Sequence, residues 1–301
     1  MVIPTYPRKP DFLIIGAQKC GTTWLWRMID AHPGSDLPAK KEIHFFGASE
    51  KYNLGKSWYY EHFRGLDPEK VTGEASTTYF FDRMPYWYNA EPDLVFDDSL
   101  GSIPLLVNQE LPDVKAIVVL RNPVRRAISA YHHLMKRAAV DRAQYGGSLS
   151  PATSLEEAGT KFPKMRILEY GFYSRYLQKW MEIFPSDRLK VLIFEDDVIA
   201  QPERTVLEIY RFIGLDDRYC PAKLREPANK SWGWTRIVAA YYLPSFLHEM
   251  TKRRPGKVLD RFNFLESFSV KPSDTEFLKG VYAEEKQRVE NLIDRRISWS
   301  F

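Results

Sequence analysis

The chain has 301 residues, of which 44% are hydrophobic, 27% charged and 14% aromatic; this describes an ordinary soluble globular protein with room for a substantial core, and one domain over residues 1–301 is expected. The excess of 43 Lys and Arg over 39 Asp and Glu, a formal charge of +4, is too small for a nucleic-acid binder but compatible with a local basic cleft for an anionic ligand. Cys20 and Cys220 are the only cysteines, which excludes a disulfide framework and a cysteine-rich metal cluster, so no metal is expected and a reducing, cytoplasmic compartment fits. Residues 1–10 lack the apolar core of a signal peptide, and no run of 18 apolar residues occurs, so no membrane span is expected.

Phe12 to Ile15 is a short β-branched run ending at Gly16, and a helical pattern of Trp24, Leu25, Met28 and Ile29 starts just after Thr22 and Thr23. A strand, a glycine-containing loop and a helix start aim backbone N–H groups and a helix dipole at one point, where phosphate or sulfate is the natural occupant. The spacing from Gly16 to Gly21 matches the first half of a Walker A loop, but Thr22 stands where the lysine belongs and Lys19 lies inside the loop. An anion cradle with a displaced lysine is therefore expected, the bland alternative being a glycine turn without a ligand.

Residues 40–46 follow as a short extended segment, Lys-Lys-Glu-Ile-His-Phe-Phe, crowded with ionisable groups, which reads equally well as a surface strand. Trp58 to Phe63 is expected to be helical, and Val71 to Phe80 a second strand running into a polar loop. Residues 82–108 lack periodicity and are expected to form an irregular insertion or lid for acceptor recognition. Val114 to Leu120 is the clearest buried strand; Arg121-Asn122-Pro123 ends it, and a helix runs from Val124 to about Ala139. Residues 138–165 read as a flexible loop with a helix starting near Leu155, and Tyr170 to Trp180 as an amphipathic helix. Leu189 to Phe194 is a strand ending at Glu195-Asp196-Asp197, Pro202 to Ile213 a helix stopped by Gly214, residues 229–236 a polar and aromatic loop, and Thr275 to Arg295 a final helix. Alternating strands and helices argue for an α/β fold, a doubly wound parallel sheet flanked by helices, with both strand-to-helix turns at the carboxyl ends of their strands, where ligands bind.

Two motifs carry a family resemblance: Gly16-Ala17-Gln18-Lys19-Cys20-Gly21-Thr22-Thr23, and Val119 to Tyr131 with Arg121 and Ser129 eight residues apart. Together they resemble the 5′-phosphosulfate loop and the 3′-phosphate motif of the sulfotransferases that use 3′-phosphoadenosine 5′-phosphosulfate (PAPS). The branch that includes the heparan sulfate N- and 3-O-sulfotransferases and bacterial relatives is the most similar. The resemblance implies a P-loop-like fold, PAPS as donor, adenosine 3′,5′-bisphosphate as product and no metal. It further implies that Lys19 faces the bridging oxygen, that the loop from Gly16 to Thr23 holds the 5′-phosphate, and that Arg121 and Ser129 hold the 3′-phosphate. Glu42, before an aromatic pair, matches the general base of that branch; His44 matches a supporting histidine, is the second candidate for the base, and also fits a packed side chain. Lys230 and Arg236 fall in the loop that closes over the nucleotide in relatives, and Arg125 is a further candidate ligand, while Arg125 and Arg126 also fit the helix surface, as do His132 and His133. Those heparan sulfate enzymes carry a lysine where this chain has Ala75, so the resemblance implies sulfuryl transfer to a hydroxyl, less readily an amine, of a carbohydrate, glycolipid or small metabolite rather than one glycosaminoglycan. A kinase of the same superfamily would need lysine directly after Gly21, and a nucleotide-binding protein that has lost catalysis would not need Lys19 and Glu42 together.

Overall fold

A computed structural model describes residues 8–86, 95–141, 149–226, 232–243, 258–260 and 269–301. In chain order, its elements begin with Phe12–Gly16 (β1), Thr22–Asp30 (α1), Ser49–Tyr52 (α2), Gly55–Glu61 (α3) and Gly73–Ala75 (β2). Pro85–Tyr86 (β3), Val95–Phe96 (β4), Ile103–Glu110 (α4), Lys115–Leu120 (β5) and Pro123–Val140 (α5) follow, then Leu155–Lys161 (α6), Tyr173–Ile183 (α7) and Leu189–Ile193 (β6). The chain ends with Pro202–Ile213 (α8), Trp234–Tyr242 (α9), Pro272–Val281 (α10) and Glu285–Ile293 (α11).

The main sheet has the order β2-β1-β5-β6, and all its pairings are parallel, with Phe12 opposite both Gly73 and Lys115 and Leu120 opposite Ile193. Every residue of β1 is buried, as are Ala116 to Leu120 of β5, which is why these strands read as unbroken apolar runs rather than as alternating ones. All four carboxyl ends therefore face one edge, and the loops that leave them start at Ser76, Ala17, Arg121 and Phe194. The α/β architecture expected from the sequence is the one observed.

The chain divides into two compact units. The first comprises residues 1–122, 173–228 and 285–300 and holds the whole main sheet; within it, the Tyr210 hydroxyl donates to the Met28 carbonyl at 2.5 Å and ties α8 to α1. The second comprises residues 123–172 and 229–284; Val124, Ala127, Tyr131 and Met135 of α5 pack there with Leu155, Trp234, Ile237 and Leu278, and the Tyr131 and Trp234 rings stack 5.6 Å apart. No helix among the described residues is long and apolar enough to cross a membrane.

Several sequence expectations need correction. Residues 40–46 form no strand: Glu42 and His44 adopt left-handed backbone, and a 3-10 turn covers Phe45–Gly47. Only Gly73–Ala75 of the segment from Val71 to Phe80 is main-sheet strand, because the Ser76 and Thr77 groups beyond it turn to bond residues 42 and 44. The stretch 82–108 is less irregular than expected. It contains the β3-β4 hairpin and α4, whose Pro104 sits at the first helical turn, where a missing N–H costs nothing; residues 87–94 lie outside the described residues. The final helix is two helices, broken between Val281 and Glu285, and α7 starts only at Tyr173. Arg126, expected on the helix surface, is fully buried and donates to the Ile167 carbonyl, whereas Arg125 is exposed.

Candidate active site

The loop after β1 is shaped by backbone. Lys19 has φ 66° and Gly21 φ 92°, and Gly21 caps α1 in the left-handed conformation. A Cβ on Gly21 would lie 2.6 Å from the Phe194 ring, so glycine is required there twice over, for its φ and for its lack of bulk. The Thr22 and Thr23 amides that open α1 lie at the positive end of the helix dipole. Ala17 donates to the Val119 carbonyl at 2.9 Å, which fixes the loop to the end of β5. Cys20 is buried, its sulfur 3.7 Å from the Tyr173 hydroxyl.

Arg121 comes off β5 onto the same loop. Its Nη1 donates to the Lys19 carbonyl at 3.3 Å, and its guanidinium lies 5.1 Å from the Phe194 ring centre, the ring that also confronts Gly21. The two turns that the sequence placed at one sheet edge thus meet. Behind Arg121 stands a support that residue patterns did not reveal. Glu195 lies 3.9 Å from Arg121 Nε, accepts from the Asn122 amide at 3.2 Å and from Trp299 Nε1 at 3.1 Å, and the Tyr173 hydroxyl donates to the Arg121 carbonyl at 2.8 Å. The acidic run after β6 is taken up by the tail that follows α11. Trp299 reaches Glu195, Ser298 bonds Asp196, and Arg295 grips Asp197 at 2.8 and 3.0 Å.

Glu42 and His44 lie on the loop between α1 and α2, both in the left-handed region, with φ 64° and 62°. Only five non-glycine residues among those described have positive φ, and three of them are Lys19, Glu42 and His44. Such conformations cost of order 1–3 kcal/mol each and persist where the surroundings impose them, commonly at functional sites. Here the surroundings are visible. The Glu42 amide donates to the Ala75 carbonyl at 2.9 Å, the His44 amide to Ser76 Oγ at 2.9 Å, and buried Phe45 stacks on Tyr59 at 4.6 Å, so the aromatic pair is an anchor in the core.

The Glu42 carboxylate is held by several donors. Its Oε2 accepts from the Thr77 amide at 3.1 Å and the Thr77 hydroxyl at 3.3 Å, and it stands 3.5 Å from His44 Nε2. Its Oε1 faces Lys41 Nζ at 3.4 Å, and the same ammonium donates to Thr23 Oγ1 at 3.2 Å. One lysine therefore touches both the start of α1, after the Gly16–Gly21 loop, and the candidate base. His44 Nδ1 is 2.9 Å from Thr78 Oγ1. Burial lowers the His44 pKa; Glu42 opposes this, and Lys40, Lys51 and Lys41 reinforce it.

Beneath this loop lies Glu74, wholly buried in β2. The Tyr59 and Tyr79 hydroxyls donate to its Oε1 at 3.0 and 2.5 Å, and Ser76 Oγ donates to its Oε2 at 3.2 Å. Burial raises its pKa to about 7 against the pull of those three hydroxyls, and the negative charge of Glu42 adds to the rise.

The remaining expected site residues belong to the second unit or lie outside the described residues. Ser129 is half-buried on α5. Arg236 is buried, paired with Asp260 at 2.9 Å and 3.8 Å above the Trp232 ring. Lys230 lies outside the described residues. His133 is exposed on α5, and the His132 ring sits 5.4 Å from Trp234. Among the described residues, no group of three His, Cys, Asp or Glu side chains is arranged to hold a metal ion.

The family model for the sulfotransferase domain matches residues 9–221. Human bifunctional heparan sulfate N-deacetylase/N-sulfotransferase 2 is 30% identical over 219 residues, 70% of this chain but 22% of that protein. Human heparan sulfate glucosamine 3-O-sulfotransferase 5 is 26% identical over 213 residues, 69% of this chain and 54% of that protein. The chain thus spans about a fifth to about half of the length of these relatives. A crystal structure of a sulfotransferase from Alicyclobacillus acidocaldarius superposes with a TM-score of 0.62 at 24% identity, covering 97% of this chain and 98% of that one, which establishes the shared fold. With the matched domain covering most of its length, the chain belongs to the sulfotransferase family.

Proposed function

We propose that this chain transfers a sulfuryl group from PAPS to a hydroxyl, less readily an amine, of a carbohydrate, glycolipid or small-metabolite acceptor, with Glu42 as the general base. The observation that carries this reading is the approach of the Glu42 carboxylate to the loop of Gly16 to Thr23, the Lys41 ammonium contacting both Glu42 Oε1 and Thr23 Oγ1. The relatives named above transfer to N and to O acceptors, which supports both nucleophile types without choosing between them.

The residues present suit the donor. Loop amides and the hydroxyls of Thr22 and Thr23 would hold its 5′-phosphate, and Arg121, its guanidinium braced by Phe194 and Glu195, offers a planar fork to the 3′-phosphate. Bound PAPS supplies an activated sulfur whose leaving group is a stable phosphate. Lys19 places positive charge where the leaving oxygen becomes more negative, an electrostatic contribution of about 3 kcal/mol. Glu42, aimed by both Thr77 donors, removes the acceptor proton, a role that typically contributes about 10² to 10⁴ in rate. His44, kept neutral by its surroundings, bonds Thr78 and lies beside Glu42 Oε2 to orient the carboxylate.

Calorimetry with adenosine 3′,5′-bisphosphate against the 5′-monophosphate tests the donor. The bisphosphate is expected to bind more tightly, and Arg121→Ala to remove about 1.5–3 kcal/mol of that preference; equal binding of the two nucleotides by the unaltered protein would sink the 3′-phosphate assignment. Labelled PAPS offered to a panel of glycosides, desulfated glycosaminoglycans, glycolipids and phenols identifies the acceptor class.

A further inference from the structure

Lys41 was read from the sequence only as one charge in a crowded segment, and nothing in the loop and turn motifs assigns it a task. In the structure its Nζ lies 3.2 Å from Thr23 Oγ1 and 3.4 Å from Glu42 Oε1, and its side chain is only 20% exposed. An ordinary surface lysine would extend into water, since ordering its long side chain costs up to about 2 kcal/mol of rotamer entropy. This one folds back into the gap between two functional elements. Thr23 is in the first turn of α1, beside the amides that receive the donor, and Glu42 is 19 residues further on, on a separate loop.

The two oxygens of Glu42 have different partners. Oε2 is bound by the Thr77 amide and hydroxyl and flanked by His44, all belonging to the base's own side of the site. Oε1 is reached by the Lys41 ammonium, which also hydrogen-bonds the Thr23 hydroxyl at the end of the loop of Gly16 to Thr23. The Thr77 bonds fix where the carboxylate sits, and the Lys41 contact fixes it relative to the donor loop. A base that is well ordered but misregistered against the transferring group loses most of its value, because rate falls steeply with misplacement of the reacting atoms.

Building on the assignment of Glu42 as base, we propose that Lys41 is a positioning residue for sulfuryl transfer. It couples the base to the donor loop, so that loop and carboxylate keep one register while the proton passes from the acceptor to Glu42, the new S–O bond forms and the old S–O bond to the 5′-phosphate breaks.

Lys41→Met and Lys41→Arg test this with the acceptor returned by the panel, or with release of labelled sulfate from PAPS to water. Lys41→Met is expected to lower kcat by about 10²-fold while adenosine 3′,5′-bisphosphate affinity and thermal unfolding stay at the unaltered values; Lys41→Arg, which restores a cation with two-pronged reach, is expected to recover most of kcat. Combining Lys41→Met with Glu42→Gln should cost no more than Glu42→Gln alone, since a residue acting through the base has nothing left to position. Unchanged kcat in Lys41→Met, a loss confined to donor affinity, or full additivity with Glu42→Gln would overturn the proposal. An active Glu42→Gln enzyme would instead overturn the base assignment, a distinguishable result.

Discussion

On the proposed donor side of the site, Lys19, Thr22 and Thr23 take their places from a handful of consecutive residues between one strand and one helix, whereas on the proposed base side Glu42 and His44 are held by Thr77, Ser76 and Thr78, 32 to 35 positions away in sequence. The donor loop works mostly through backbone N–H groups and a helix dipole, which any chain with this turn would present. The base loop works through side chains that must be aimed, and it uses two left-handed residues, a stacked aromatic pair and a buried carboxyl to aim them. On the proposed assignment, anion binding would be a local property of the chain and acceptor activation a tertiary one. The sharpest way to separate the two halves is Glu42→Gln. It should leave bisphosphate binding intact and lower transfer by about 10² to 10⁴, read as labelled sulfuryl transfer under saturating donor; a parallel loss of nucleotide affinity would show that the halves are not separable.

The same contrast accounts for what could be read in advance. The apolar runs Phe12 to Ile15 and Val114 to Leu120 announced a parallel sheet because strands buried on both faces lose their alternation, and glycine spacing announced the turn between β1 and α1. Residues 40–46 were misread because positive φ at Glu42 and His44 has no local signature; nothing in Lys-Lys-Glu-Ile-His-Phe-Phe reveals that Ala75, Ser76 and Thr77 will bend it. The brace on Arg121 escaped for a similar reason. Trp299 and Glu195 are 104 residues apart, and their pairing exists only after α11 has delivered the tail to the end of β6. Glu74 lies inside the expected strand from Val71 to Phe80, and a carboxyl in a short strand shows its burial and its three hydroxyl donors only in the fold.

Gly47 offers a milder break of the base side alone. A Cβ there would fall 1.9 Å from Thr78 Oγ1 and 2.6 Å from Thr78 Cβ, and Thr78 is the residue that bonds His44 Nδ1. Gly47→Ala is therefore expected to destabilise the fold by about 3 kcal/mol, the upper end of the overpacking range, measured by denaturant unfolding. Nucleotide affinity of the folded fraction should be unaffected, while kcat falls as Thr78 is pushed from His44. Gly21→Ala, by contrast, presses the loop after β1 against Phe194 at the end of β6 and is expected to weaken nucleotide binding first.

The smallest expected effect lies under the base loop and is read through pH. In the folded chain Glu74 holds its proton up to about pH 7, whereas an unfolded glutamate loses it near 4.5. Between those values the native state carries one more proton than the unfolded state, so this group's contribution to stability is present at low pH, is lost as pH rises through the window, and is level above it. The slope is about 1.4 kcal/mol per pH unit while it lasts, and with relaxation around the site a change on the order of 2 kcal/mol between pH 5 and pH 8 is expected. Glu74→Gln removes the titration but retains an oxygen for Tyr59 and Tyr79 and an amide that can donate to Ser76 Oγ, itself the acceptor for the His44 amide. The stability of the Gln variant relative to the unaltered protein should therefore climb from pH 5 to pH 8 in chemical denaturation, with bisphosphate affinity unaffected at both values. A difference that stays flat across that range would mean that Glu74 is already ionised in the fold, held by its three hydroxyl donors against the cost of burial.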